Sequence, residues 1–242
     1  MKWIDGNTFF GSWPHRKLDV PAEELVRLLK EAGTSKALTL CLAAPKLNAV
    51  EGNDLTRLAC VQHRELIPFA AVDPRKYTSE HPVKHIRDLG CAAIRLTNSM
   101  NGFPLDISPV EEIMTECAEQ DLTVFVDVTD WGVATVCERL TRKTGCRIAL
   151  CAVRYAILAE TIVSMKRSKR LYLGISKLNT PDAIRAAADV VGADRIFHES
   201  GAPFNYAANA RAVAEHNHLT DEELDWISSK TVLSLVSEEY RS

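Results

Sequence analysis

The sequence predicts an α/β chain folded as one (β/α)8 barrel, a TIM barrel, forming a single domain over residues 1–242. Three observations predict it. Short runs rich in Val, Ile and Leu alternate with longer segments of helical period. Eight such strand–helix units come to about 30 residues each, the size of a βα unit. No Gly-, Ser- or Pro-rich linker divides the chain. Parallel strands need crossover helices, and eight units close naturally into a barrel. The competing architecture is a doubly wound open sheet. It wants G-x-G-x-x-G after its first strand, and none stands there.

The elements follow in order. Residues 2–6 form the first strand. The helix over 21–31 opens on Pro21, sets Leu25, Leu28 and Leu29 on one face and stops at Gly33. Strand 37–43 precedes a helix at 54–64, strand 67–72 a helix at 81–88, and strand 92–96 a helix opening at Ser108, Pro109 and Glu111. That opening reads as a capping box. Strand 123–128 leads to a helix at 131–140 with Val133, Val136, Cys137 and Leu140 on one stripe. Strand 147–153 leads to a helix at 156–165. Strand 171–175 leads to a cap at Thr180–Pro181 and a face of Ile184, Ala187, Ala188 and Val191. Strand 195–198 is the last. Helices at 207–215 and 221–235 close the chain, the second opened by the capping box from Thr220 to Glu223.

Composition excludes several classes of function. A net charge of −3 leaves no general basic surface to grip nucleic acid through its phosphates. The richest apolar stretch, 148–163, is broken by Arg154 and Glu160, short of the run of about 20 that a membrane span needs. Asp5 interrupts the place where a signal peptide would be apolar. The seven cysteines are odd in number, form no C-x-x-C and mostly lie in apolar runs. They are expected to be buried free thiols in a reducing, cytoplasmic setting.

In such a barrel the reacting groups come from the C-terminal ends of the strands and the loops after them. The residues there are Asp5, Asn7, Cys41, Asp73, Arg95, Thr97, Asp127, Asp130, Arg154, Ser176, Lys177, His198 and Glu199. Asp73 is expected to start the turn before Pro74. His15 lies in the WPHRK loop, where a surface position competes with a substrate contact. The aromatics Trp13, Phe103 and Phe204 lie on loops after strands 1, 4 and 8, placed to wall an apolar pocket or to pack a partner subunit.

Five segments, in order, resemble one family. IDGNTFFG is similar to its opening segment, in which Ile-Asp precedes His-x-His and Gly. IPFAAVDPR resembles its third strand, and LGCAAIRLTNSMNGFPLD its fourth strand with the loop that follows. GADRIFHESGAPF resembles its last-strand motif. LTDEELDWISSKTVLSL resembles its C-terminal helix. The family is the amidohydrolase superfamily, in particular its branch of lactonases and decarboxylases. The resemblance implies the barrel, and it implies a metal site whose ligands fail one by one here. The paired histidines fall on Asn7 and Phe9. The strand 5 histidine falls on Asp127, the strand 6 histidine on Ala152 and the strand 8 aspartate on Gly201. Zinc wants three or four nitrogen, sulfur or carboxylate donors, and Asn7 with Asp127 cannot supply them. The expectation is therefore no metal and no cofactor.

Hydrolysis on this frame would need a base and a group to hold an oxyanion. Asp127 is the first candidate base, because it replaces an inward-facing ligand; the competing reading pairs it with Arg95. His198, Glu199 and Asp5 are the further catalytic candidates. Successive strand residues face opposite ways, so only one of His198 and Glu199 looks into the barrel. Asn7, Arg95, Arg154, Ser176 and Lys177 are the candidate substrate-binding groups, arginine and lysine suiting a carboxylate. The expected activity is that of a hydrolase or lyase of a small cyclic or carboxylated, lactone-like substrate. A catalytically inactive barrel kept for ligand binding or assembly is the alternative. The expected partner is a small molecule, with no nucleic acid or membrane, and a homodimer through the outer helices follows class habit.

Overall fold

A computed structural model describes residues 2–13, 16–77 and 82–241. His15, and His81 at the start of one expected helix, lie outside the described residues. The strands are β1 (Trp3–Trp13), β2 (Leu18–Val20), β3 (Thr34–Cys41), β4 (Leu66–Ala70), β5 (Ala93–Arg95), β6 (Val124–Asp127), β7 (Ile148–Cys151), β8 (Leu171–Gly174) and β9 (Ile196–Phe197). They form one sheet in the order β2-β1-β3-β4-β5-β6-β7-β8-β9. Every pairing from β1 through β9 is parallel except the β1–β2 hairpin.

The sheet closes on itself. Gly6 N–H donates to His198 O at 2.9 Å, Gly201 N–H to Asn7 O at 2.9 Å and Phe9 N–H to Ala202 O at 2.8 Å. The eight parallel strands therefore make the barrel that the alternation predicts. The inside is identified by rings that touch across it. Phe69 on β4 meets Phe125 on β6 at 4.9 Å, and Phe125 meets Phe197 on β9 at 5.7 Å, although none of these strands are neighbours in the sheet. Only side chains pointing into the barrel can do this. Period-two alternation then directs Arg95, Asp127, Cys151 and Glu199 inward, one layer above those rings. Val124, Val126, Ile148, Leu150, Leu173 and Ile196 face outward and pack under the helices.

The helices are α1 (Ala22–Glu31), α2 (Ala43–Lys46), α3 (Ala49–Gln62), α4 (Pro82–Asp88), α5 (Asn98–Asn101), α6 (Ser108–Glu119), α7 (Val133–Thr144), α8 (Leu158–Arg167), α9 (Ala183–Val191), α10 (Ala207–Glu215), α11 (Asp221–Asp225) and α12 (Thr231–Leu235). α12 carries Val232 and Leu235 to the cluster inside the barrel, and Ser237 N–H bonds Ala92 O just before β5. The C-terminal segment thus stops the end of the barrel opposite the loops.

Four details differ from the sequence reading. β1 runs on to Trp13 rather than ending at Gly6, because Asn7 and Thr8 are polar yet buried between paired strands. Ser108 is not a cap: Ile107 takes that position and no side chain caps α6. α9 begins at Ala183 rather than at Pro181, with Asn217 Oδ1 accepting Ile184 N–H at 3.1 Å from a distant loop. The helix over 221–235 is interrupted by a π-turn at Trp226–Lys230. Asp73 accepts Arg75 N–H at 3.0 Å and starts the Pro74 turn as expected. All seven cysteines are free, six of them buried. No helix among the described residues is long and apolar enough to cross a membrane.

Candidate active site

At the C-terminal end of the barrel lies a cavity of about 420 Å³, lined in part by Asn7, Arg95, Asp127, Ser176 and Lys177. They arrive from four strands: Asn7 from β1, Arg95 from β5, Asp127 from β6, and Ser176 and Lys177 from just after β8. Arg95 is 1% exposed and spans the floor. Its guanidinium pairs with Asp127, donates from Nε to Asn7 Oδ1 at 3.1 Å and from Nη1 to Leu96 O at 2.7 Å. Burial works against its charge. The adjoining Asp127 carboxylate outweighs that and holds the guanidinium above its ordinary value. The ion pair that sequence reading offered as the competing role for Asp127 is thus present.

Asp127 is clamped from the loop after β5. Ser99 Oγ donates to its second carboxylate oxygen, and Asn98 bonds its backbone in both directions at 2.9 Å. Sequence reading missed Asn98 and Ser99, although the polar run NSMN directly after a strand end was the available signal.

Glu199 faces the inside, His198 the outside. Glu199 Oε2 accepts Asn7 Nδ2–H at 2.8 Å. Its Oε1 accepts Ser176 Oγ–H at 2.7 Å and Ala152 N–H at 2.8 Å. Ala152 adopts φ 58°, a left-handed conformation that costs a non-glycine residue about 1–2 kcal/mol and here aims its N–H at the carboxylate. Glu199 is buried behind Asn7 and Ser176, which meet the cavity. Beneath it, Cys151 is pushed far up by burial and then by Glu199, so the thiol stays protonated.

His198 does not reach the cavity. Its ring stands edge-on to Trp3 at 5.0 Å, outside the barrel, and burial lowers it to about 3. Neither ring nitrogen has a hydrogen-bond partner among the described residues. Asp5 lies beside it, Oδ2 3.9 Å from Nε2. Asp5 Oδ1 accepts the N–H groups of Asn7 and Ser200 at 3.0 Å each, clasping β1 to the segment after β9. Burial raises its carboxyl to about 7.

The outer wall is cationic and aromatic. Lys177 Nζ bonds Asn205 Oδ1. Arg16 lies 5.3 Å and Lys46 3.8 Å from the ring centre of Trp13. Among the described residues, none of these three cations has a carboxylate partner. Trp13 and Phe204 meet edge-on at 5.0 Å and wall the cavity, while Phe103 lines a neighbouring hollow. Arg154 lies on the exposed rim, bonded to Thr129 O.

No protein-family model matches the sequence, and no curated protein matches it. Solved structures do match along nearly the whole chain. One is a dihydroxybenzoic acid decarboxylase from Polaromonas sp. with bound manganese and 2-nitroresorcinol, at a TM-score of 0.76 and 15% identity, covering 97% of this chain and 96% of that one. The chain shares its fold with these barrels. A manganese-bound 5-carboxyvanillate decarboxylase from Novosphingobium aromaticivorans matches at 0.74 and 14% identity, covering 97% and 96%. A 2-pyrone-4,6-dicarboxylic acid hydrolase from Acinetobacter baumannii with citric acid bound matches at 0.71 and 13%, covering 97% and 99%. These are decarboxylases and hydrolases of the branch that the sequence motifs resemble.

The manganese in two of them corrects the expectation that no cofactor belongs here: in solved barrels of this fold a divalent metal is present. The oxygen donors at and beside the mouth of this barrel include those of Asn7, Asp127, Ser176 and Glu199. Among the described residues no three His, Cys, Asp or Glu side chains gather to hold a metal ion. Asp127 is engaged by Arg95 and Ser99, and Glu199 by three hydrogen-bond donors. These donors do not fit a metal site as they stand.

Proposed function

We propose that this barrel is a hydrolase or lyase acting on a small carboxylated or cyclic substrate held in the mouth cavity. The observation that carries the reading is the charge gathered at that cavity. A buried carboxylate, Glu199, is reached through Ser176 Oγ, and Lys177 and Arg16, cations without a carboxylate partner among the described residues, line the same cavity. A substrate carboxylate or developing oxyanion suits the cations. Glu199 is the base, taking a proton from water or substrate through Ser176 Oγ. Arg95, Asp127 and Asn7 form the rigid floor that keeps Glu199 in place. The solved barrels of like fold are named for carboxylated rings, and the wall of Phe9, Trp13 and Phe204 suits a ring. The free thiols support a reducing, cytoplasmic setting.

The test is turnover of a panel of lactones and aromatic carboxylates, each assayed with and without added Mn²⁺. Glu199→Gln is expected to lower kcat about 100-fold or more. Lys177→Ala is expected to raise KM with a smaller effect on kcat. No turnover across the panel under either condition, or an unchanged kcat in Glu199→Gln, refutes the reading.

One observation favours the second reading, a barrel that binds without catalysis. Arg95 and Asp127 satisfy each other, and Asp5 and His198, both strongly displaced by burial, lie off the cavity. That reading expects calorimetric binding of panel members and no product.

A further inference from the structure

α3 lies on the outside of the barrel and is apolar on both sides. Its inner side carries Gly52, Thr56 and Ala59 against the strands. A Cβ at Gly52 would come within 2.2 Å of Ala44 N, so α3 sits tightly on α2. Its outer side carries Val50 and Val61, each 70% exposed, and Leu58, 49% exposed. Of the exposed large apolar side chains among the described residues, a share far above chance belongs to this one helix and the Leu47 beside it. Isolated exposed apolar residues need no explanation, but a stripe along one helix does.

The charges around the stripe are ordered. Glu51 and Asp54 occupy the first half of the exposed face, Arg57 and Arg64 the second half and the residues just after it. All four are exposed, and none has a hydrogen bond or ion pair through its side chain within the chain, among the described residues. Such a face is complementary to itself when turned end to end.

We propose that α3 pairs with α3 of a second copy of this chain, antiparallel, about a two-fold axis passing near Leu55. That axis sets Val50 opposite the partner subunit's Val61, and Asp54 opposite the partner subunit's Arg57. The symmetry repeats both contacts. Leu58 flanks the central Asp54–Arg57 pairs. The acidic half of each helix meets the basic half of the other, which selects the antiparallel over the parallel arrangement. The mouth cavity stays open, because α3 lies on the barrel's side.

The test is molar mass in solution by sedimentation equilibrium on the full chain. The wild type is expected as a dimer. Val50→Asp, Asp54→Arg and Arg57→Asp are each expected to be monomeric, weakening association about tenfold or more. Their thermal midpoints are expected to match that of the wild type chain treated at monomer concentrations, since the side chains are exposed. Mixing Asp54→Arg with Arg57→Asp is expected to restore a dimer, because each charge then meets its opposite. A monomeric wild type overturns the proposal and leaves the face to another partner. A dimer that survives all three substitutions, or a mixture that stays monomeric, overturns it too.

Discussion

Asp5 and His198 are buried side by side and titrate in opposite senses. Burial holds Asp5 at about 7 against an ordinary 3.8. Between those values the folded chain keeps a proton that the unfolded chain has released, so stability falls as pH rises through the window. Burial holds His198 at about 3 against an ordinary 6.5. Between those values the unfolded chain takes up a proton that the folded chain refuses, so stability rises with pH. The two slopes offset each other where the windows overlap. Asp5→Asn is therefore expected to leave the histidine slope, with the urea midpoint climbing from about pH 4 to about pH 6.5. His198→Gln is expected to leave the opposite slope, with the midpoint falling over the same range. Urea titrations of both variants at several pH values decide it, and parallel profiles would refute the pairing.

Helix ends divide into those the local sequence writes and those it does not. At α11, Thr220 Oγ1 accepts Glu223 N–H at 3.3 Å, and the Glu223 carboxylate accepts Thr220 N–H at 2.8 Å. Arg185 from α9 adds two bonds of 2.7 Å to the same carboxylate, holding it down at about 2. At α6 the same sequence pattern makes no cap. The helix starts one residue earlier than the pattern needs, so Ser108 is already helical. Thr220→Ala is expected to cost about 1 kcal/mol in denaturant unfolding. Ser108→Ala is expected to stay within about 0.5 kcal/mol. Equal costs would contradict the difference in geometry.

Closure of the barrel is a property of the whole molecule, because the two strands that form its seam, β1 and β9, lie at opposite ends of the chain. Gly6 is at the seam. A Cβ there would lie 2.7 Å from Phe197 Cδ2 and 3.1 Å from His198 O, the carbonyl that accepts the Gly6 N–H. Adding one methyl must push β1 away from β9 or turn the Phe197 ring that meets Phe125 edge-on. Gly6→Ala is expected to cost about 1–3 kcal/mol, the usual penalty for overpacking a filled site. Calorimetry would register it as a lowered midpoint, and an unchanged midpoint would mean that the seam yields freely. The site depends on the same seam, since Asp5, Asn7 and Glu199 bridge it.

All eight parallel strands were legible in the sequence, because a strand buried on both faces reads as an apolar run between turns. The β1–β2 hairpin was not, since WPHRK carries no compact hairpin-turn signal. At the site, alternation alone required one of His198 and Glu199 to face inward, and the phase of β9, which points Phe197 at Phe125 inside the barrel, decided that it is Glu199. Composition and periodicity by themselves determined the architecture and the strand ends that carry polar groups. Only the tertiary structure decided which of those groups meet: Asn7 and Glu199 are 192 residues apart and share a hydrogen bond. The physical reason is that burial and periodicity are local properties of a chain, whereas a hydrogen bond between its two ends exists only once the sheet has closed.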